Sequence, residues 1–140
     1  MKKEIWRKNW LESFNKLTSF ALQKNSWINI TTGGFNWSFA DFVSCYFEEV
    51  LFGFDYEFYI EEKFVSRKEY YIIKDWHFEL SSYTPPKSDD YDNQAILSDQ
   101  KWLSILDIGK LAKNKLMVVV PDNEKEFLKE LSLPSYSPRW

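Results

Sequence analysis

Hydrophobic positions along this chain recur at steps of three and four residues in five separate stretches. Apolar residues at that spacing share one face of an α-helix, which is the face that packs against a core. The pattern therefore predicts a mainly α single-domain bundle of about five helices, at residues 3–24, 38–52, 66–83, 99–115 and 122–131.

Two of these helices begin with a recognisable cap. Ser38 precedes Asp41 by three residues and Ser66 precedes Glu69 by three, the spacing at which the two side chains satisfy backbone donors that a helix start leaves free. The helix from Ser66 carries a stripe rich in aromatic residues. It ends before a Thr-Pro-Pro sequence, because proline donates no hydrogen bond and restricts the residue before it.

Three segments allow more than one interpretation. Residues 54–64 fit either a short helix or an extended aromatic segment. Residues 116–120 are β-branched and fit either a strand or the end of a helix, and residues 27–30 alternate as a short strand would. The sequence thus also allows a short minor strand pair beside the helices. No linker or repeat divides the chain, which predicts one globular domain over residues 1–131 and a tail over 132–140.

Aromatic side chains make up 19% of the residues, with 7 Trp, 8 Tyr and 12 Phe. A core of ordinary size cannot easily bury so many large rings, so we expect some at the surface, where aromatic residues favour contacts with partners. The single cysteine excludes an internal disulfide and favours a reducing compartment. The N-terminus has charge but no continuous apolar run, so we expect a cytoplasmic protein without a signal peptide.

Charge is unevenly distributed, although the net charge is only −3. Residues 25–62 contain seven acidic residues and no Lys or Arg, and residues 88–99 contain four Asp and no base. Any single acid is most simply a solvated surface residue. A stretch of this length without one base predicts a negative surface that attracts a basic partner and repels nucleic acid.

The residues that most often carry chemistry are few. His77 follows Trp76 within an apolar stripe, as a half-buried core histidine does, and Cys45 lies in a helical stripe as a small hydrophobe. No sequence signature supports a nucleophilic Cys45–His77 pair, and one Cys and one His cannot complete a structural zinc site. We therefore expect no catalytic residue, no metal and no cofactor. A small enzyme that uses carboxylates or His77 for acid–base chemistry, and an acidic adaptor protein, remain alternatives.

A family resemblance is carried by FDYEFYI, VSRKEYYIIKDWHFELSSYTPP and SDDYDNQAILSDQKWLSIL, within residues 54–112. A capped helix that ends in a Tyr-x-Pro-Pro turn, an acidic loop, and an Ile-Leu-x-Asp-x-x-Trp helix start follow one another. This layout resembles immunity proteins of bacterial polymorphic toxin systems, including those of contact-dependent growth inhibition. The resemblance implies a cytoplasmic protein without enzymatic activity that binds and neutralises one cognate toxin domain.

An acidic and aromatic surface complements the basic active site of a nuclease-type toxin. We predict that two acidic segments, on either side of the helix from Ser66, flank one another around aromatic contacts. That helix of about 18 residues spans on the order of 27 Å, so both segments must fold back along it to form one face. The predicted partner-binding residues are Asp55, Tyr56, Glu57, Tyr59, Glu61, Glu62, Asp89, Asp90, Tyr91 and Asp92.

Overall fold

Seven α-helices account for most of the chain in the computed structural model, which describes residues 2–28 and 37–129. Their bounds are Lys3–Leu17 (α1), Phe20–Trp27 (α2), Phe39–Ser44 (α3), Tyr56–Glu61 (α4), Arg67–Ser81 (α5), Asn93–Leu97 (α6) and Gln100–Val119 (α7). A π-helical segment, Cys45–Val50, continues α3, and short 3-10 helices occupy Pro86–Ser88 and Asp122–Leu128. The described residues contain no strand and form one compact body, so the mainly α fold class is confirmed.

The predicted number of about five helices is too low, because the first predicted helix is two and because α4 and α6 lie outside the five predicted ranges. The range 3–24 divides at Thr18 and Ser19. The Thr18 hydroxyl donates to the backbone carbonyl of Phe14 (2.9 Å), and the Ser19 hydroxyl accepts from the backbone N–H of Leu22 (3.3 Å) and so caps α2. The chain changes direction between two satisfied helix ends.

The three segments with more than one interpretation contain helix and no strand in their described residues. Residues 54–64 contain α4, and α7 continues to Val119, so residues 116–120 form no strand. The predicted helix 122–131 is a 3-10 helix as far as Leu128. Trp27 ends α2, whereas residues 29 and 30 of the predicted short strand, and the predicted tail 132–140, lie outside the described residues.

Helix α1 is the centre of the core, and α5 and α7 form the most extensive helix pair beside it. Phe14 of α1 packs edge-on against Trp76 of α5, with ring centroids 4.7 Å apart. Gly109 brings α7 close to both helices. A Cβ atom at Gly109 would lie 2.5 Å from Cγ2 of Thr18 and 2.9 Å from Cδ1 of Trp76, so only glycine permits this approach.

Both predicted caps are present as capping boxes, and the second one is also part of a buried ion cluster. Glu69, the third residue of α5, accepts from the Ser66 backbone N–H (2.9 Å) and pairs with Arg7 of α1 (2.7 Å). Arg7 also pairs with Glu124 (2.8 Å) and donates to the carbonyl of Phe64 (2.7 Å). The cluster fastens α1, the start of α5 and the C-terminal 3-10 helix together.

Candidate functional site

Three phenylalanines stand out on the surface between the π-helical segment and the end of α4. Phe52, Phe54 and Phe58 are 73%, 47% and 36% exposed. The rings of Phe54 and Phe58 stack with centroids 4.3 Å apart and planes 17° apart, and Phe52 lies beside Phe54 at 6.4 Å and 29°. We call these three residues the aromatic ridge.

The backbone at the start of the ridge has an unusual conformation. The N–H of Leu51 bonds to the carbonyl of Tyr46 (3.0 Å) and that of Gly53 to the carbonyl of Phe47 (3.2 Å), which closes the wide π turn. Phe52 and Gly53 then both have positive φ, at 53° and 76°. A left-handed conformation costs a bulky residue about 1–2 kcal/mol, and strain of this kind is concentrated at functional sites.

Two core side chains hold the end of the π-helical segment in place. The indole N–H of Trp6 donates to the carbonyl of Val50 (2.8 Å). The hydroxyl of Tyr59 donates to the carbonyl of Leu51 (2.7 Å) and lies 3.2 Å from that of Val50. These bonds satisfy carbonyls that a helix end leaves without an internal partner. The exposed ridge therefore begins at a turn that is fixed from inside the core.

The sequence predicts Tyr56 and Tyr59 as contacts with a partner. This part of the prediction is wrong, because both rings are buried in the core. They are only 3% and 5% exposed, because α4 turns both rings inward. The Tyr56 hydroxyl accepts from the indole N–H of Trp10 (2.9 Å) and is hydrogen-bonded to Tyr46. Burial raises the pKa of both hydroxyls. An aromatic ring with a polar tip is stable in a core once the tip finds a partner, as here.

Carboxylates surround the ridge on α4. Asp55 caps this helix, with Oδ1 accepting from the backbone N–H of Phe58 (3.1 Å). Glu61 and Glu62 follow Phe58 by three and four residues, which makes them its neighbours on the helix surface. All three acids are exposed, and none forms a salt bridge with another described residue. Their charge is therefore available to a partner.

The second acidic segment, residues 89–92, is exposed throughout. Asp89 accepts from the backbone N–H of Tyr91 (2.9 Å), and Asp92 accepts from that of Ala95 (3.1 Å) and so caps α6. Two of its three carboxylates thus have local structural roles, while the ring of Tyr91 is 78% exposed. A solvated turn that starts a helix explains most of this loop.

The two acidic segments attach to opposite ends of α5. Glu57 pairs with Arg67 (3.2 Å) at the first turn of that helix, whereas the loop of residues 89–92 follows the last turn at Ser81. A helix of fifteen residues is roughly 22 Å long. No hydrogen bond or salt bridge between residues that the structure describes connects the segments. One continuous face made from both therefore stays a prediction.

His77 and Cys45 lie in the settings that the stripes predict. His77 is half-buried, with Nδ1 2.8 Å from the hydroxyl oxygen of Tyr46. Burial lowers the pKa of His77 to about 4, so the ring is neutral at pH 7. Burial, followed by the charge of Glu49, raises the pKa of Cys45, so its thiol stays protonated. Neither group has the charge state of an activated nucleophile or a poised acid.

A cleft of about 640 Å³ opens beside the ion cluster and is lined by residues that include Lys3 and Lys63. Burial alone would lower the pKa of Arg7, but the hydrogen bonds and charges of Glu69 and Glu124 raise it. Every one of the five N–H groups of the Arg7 guanidinium already has an acceptor within the protein. Arg7 thus has a structural role here and no donor left for an anionic ligand.

Sequence reasoning missed the ridge phenylalanines, because an isolated Phe is usually a core residue. The one available signal was the spacing within α4, where 56 and 59 share a face and 54 and 58 share another. That spacing becomes informative only once residues 54–64 are known to contain a helix.

The chain was compared with known proteins, and no family model, curated protein or solved structure matches it. Among the helices of residues 2–28 and 37–129, none is both long and apolar enough to cross a membrane. The geometry of the aromatic ridge is therefore the basis for assigning a function.

Proposed function

We propose that this protein is an immunity protein that binds and neutralises a cognate bacterial toxin domain, and that the aromatic ridge makes the central contact. One observation carries the proposal: three stacked phenylalanines are exposed beside carboxylates that form no salt bridge within the described chain. Exposed apolar patches that are rimmed by polar groups mark interaction surfaces. The immunity role itself comes from the layout resemblance within residues 54–112.

Burial of the ridge offers enough free energy to anchor a complex. From the exposed fractions and about 200 Å² per ring, the three rings present on the order of 300 Å². At about 25 cal/mol per Å², this area contributes up to about 8 kcal/mol before the costs of association. A few aromatic anchors of this kind dominate many interfaces.

The surrounding acids fit a basic partner. Charge complementarity raises the association rate, whereas buried aromatic anchors slow dissociation. A nuclease-type toxin needs a basic active site to hold phosphates, and a negative surface competes for that site. The same negative charge repels nucleic acid, so the ridge is suited to a protein partner.

Binding is favoured over the alternative of a small acid–base enzyme. The imidazole of His77 is neutral and hydrogen-bonded to Tyr46, and the Cys45 thiol is protonated. Both states fit structural roles and supply no obvious catalyst.

The test co-expresses this protein with the product of the gene that lies directly upstream of its own. Wild-type protein should restore growth and form a stable complex, and the double variant Phe54→Ser/Phe58→Ser should lose both while its circular dichroism stays unchanged. Phe78→Ser is the matched control, because Phe78 is 55% exposed on α5 outside the ridge. Growth arrest with the wild type, or full protection by the double variant, would contradict the proposal. An upstream gene without a toxic product would favour the acidic adaptor.

Charge variants test the electrostatic part separately. Two triple variants each remove three negative charges and keep the helix caps, because Asn caps as well as Asp. The ridge-neutral variant is Asp55→Asn/Glu61→Gln/Glu62→Gln, and the loop-neutral variant is Asp89→Asn/Asp90→Asn/Asp92→Asn. We expect the ridge-neutral variant to slow association about tenfold at low salt and the loop-neutral variant to slow it less. Equal slowing would mean that both segments act as the single face predicted from sequence.

A further inference from the structure

We propose that the aromatic ridge selects arginine side chains of its partner, each guanidinium stacking on a ridge ring while its edge pairs with a neighbouring carboxylate. This inference rests on the proposed function and names the chemistry that the same surface recognises. The partner is thus a protein that presents an arginine-rich segment, in preference to a lysine-rich one.

The ridge presents flat ring faces to solvent. Phe54 and Phe58 are nearly parallel, at 17°, and Phe52 is within 29° of Phe54. Stacking covers the ring faces that meet, and Phe58 also contacts Tyr59 with centroids 5.0 Å and planes 85° apart, whereas Phe52 at the other end of the row is the most exposed ring, at 73%. A planar cation can extend the row in the same orientation, because the face of an aromatic ring is its negative side.

Carboxylates neighbour Phe58 along the chain of α4 and just after it. Asp55, Glu61 and Glu62 are neighbours of Phe58 on one side of α4, and all three are exposed without a salt bridge to a described residue. Arginine carries its donors in the plane of the guanidinium, so it can stack and pair with a carboxylate at once. The lysine ammonium is a compact, strongly hydrated charge without a plane to stack.

The same combination exists inside this fold. The guanidinium carbon of Arg7 lies 5.4 Å from the ring centroid of Trp10, while its nitrogens pair with the carboxylates of Glu69 and Glu124 at 2.7 and 2.8 Å. An arginine on an aromatic face between carboxylates is therefore a stable arrangement in this protein. The ridge supplies rings beside carboxylates, and no arginine of the described residues lies over a ridge ring.

The test titrates hexaarginine and hexalysine peptides into the full-length protein at low ionic strength by calorimetry. The two peptides have equal charge, so a difference in affinity reports on stacking and planar pairing. We expect hexaarginine to bind about tenfold more tightly to the wild type. Phe54→Leu/Phe58→Leu keeps every carboxylate and loses two ring faces, so its preference for hexaarginine should fall clearly below that of the wild type, whereas Phe58→Tyr and the control Phe78→Leu should keep the full preference.

Equal affinities for the wild type, or a preference of undiminished size in the double leucine variant, would overturn the inference. Self-association of the wild type that hexaarginine reverses would assign the ridge to a second copy of the chain. Tighter peptide binding by Arg139→Gln would assign the ridge to an arginine of the chain itself. Self-association and this result each contradict the inference.

The peptides separate this inference from the proposed function. An arginine preference together with failure to restore growth would reject the immunity role alone. Restored growth together with equal affinities for the two peptides would reject the arginine preference alone.

Discussion

Replacement of Gly109 by alanine separates two opposing effects on stability. In a helix interior, alanine is favoured over glycine by about 1 kcal/mol. The added methyl group would lie 2.5 Å from Cγ2 of Thr18 and 2.9 Å from Cδ1 of Trp76, and both side chains are fully buried. Overpacking costs about 1–3 kcal/mol, and contacts this short belong at the upper end. We therefore expect Gly109→Ala to lower the free energy of unfolding by about 1–2 kcal/mol.

Urea denaturation measures this change. Thr18→Ser removes the nearest methyl group but keeps the hydroxyl that donates to the Phe14 carbonyl, so Gly109→Ala should cost less in that background, with a coupling of about 1 kcal/mol. Asn114→Ala is the matched control at an exposed position of α7 and should be neutral or stabilising. If Gly109→Ala raised the free energy of unfolding by about 1 kcal/mol, helix propensity alone would decide and the close-approach reasoning would be refuted.

Three further predictions concern buried polar groups. Arg7→Met should lower the free energy of unfolding by about 3–5 kcal/mol, because it leaves the carboxylates of Glu69 and Glu124 buried without a cation; an unchanged urea midpoint would exclude a structural role for the cluster. The pKa of His77 is about 4 in the folded protein and ordinarily 6.5, so the unfolded state binds more protons between these values and stability falls as pH falls through that window, by up to about 3 kcal/mol. In urea titrations at pH 7 and pH 4.5, the free energy of unfolding of His77→Gln should change less with pH than that of the wild type. The same change in both proteins would contradict this prediction. Tyr59→Phe should lower the free energy of unfolding by about 1 kcal/mol and speed dissociation of the proposed partner, because the carbonyls at the end of the π-helical segment lose a donor; an unchanged dissociation rate would mean that the ridge does not depend on this bond.

Local signals predicted the helices well, and tertiary contacts decided where those signals failed. The capping box at Ser66 and the prolines after Thr84 both act within a few residues, so the extent of α5 could be predicted closely. The break at Thr18 lies against Gly109 of the distant helix α7 and is capped by local hydroxyl bonds that an apolar stripe does not reveal. The π turn after α3 depends on donors such as Trp6, which the local sequence does not reveal.

The sequence predicted the exposed acids of the candidate site but not which aromatic rings are exposed beside them. The absence of any base from residues 25–62 is a property of the sequence, and the exposed acids follow from it. The surplus of aromatic residues predicted that some rings would be exposed. Which rings are exposed depends on hydrogen-bond partners in three dimensions. Tyr56 and Tyr59 find partners in the core and are buried, while Phe54 and Phe58 occupy the other face of α4.

The hydrogen bonds from Trp6 and Tyr59 determine which substitutions the turn at the start of the ridge can accept. Both side chains donate to backbone carbonyls, so the turn that they fix does not depend on which side chains follow it. Side chains at 54 and 58 can change without loss of these bonds, whereas position 52 must also accept a positive φ. Substitutions at positions 54 and 58 can therefore change the exposed surface while the core that fixes the turn stays the same.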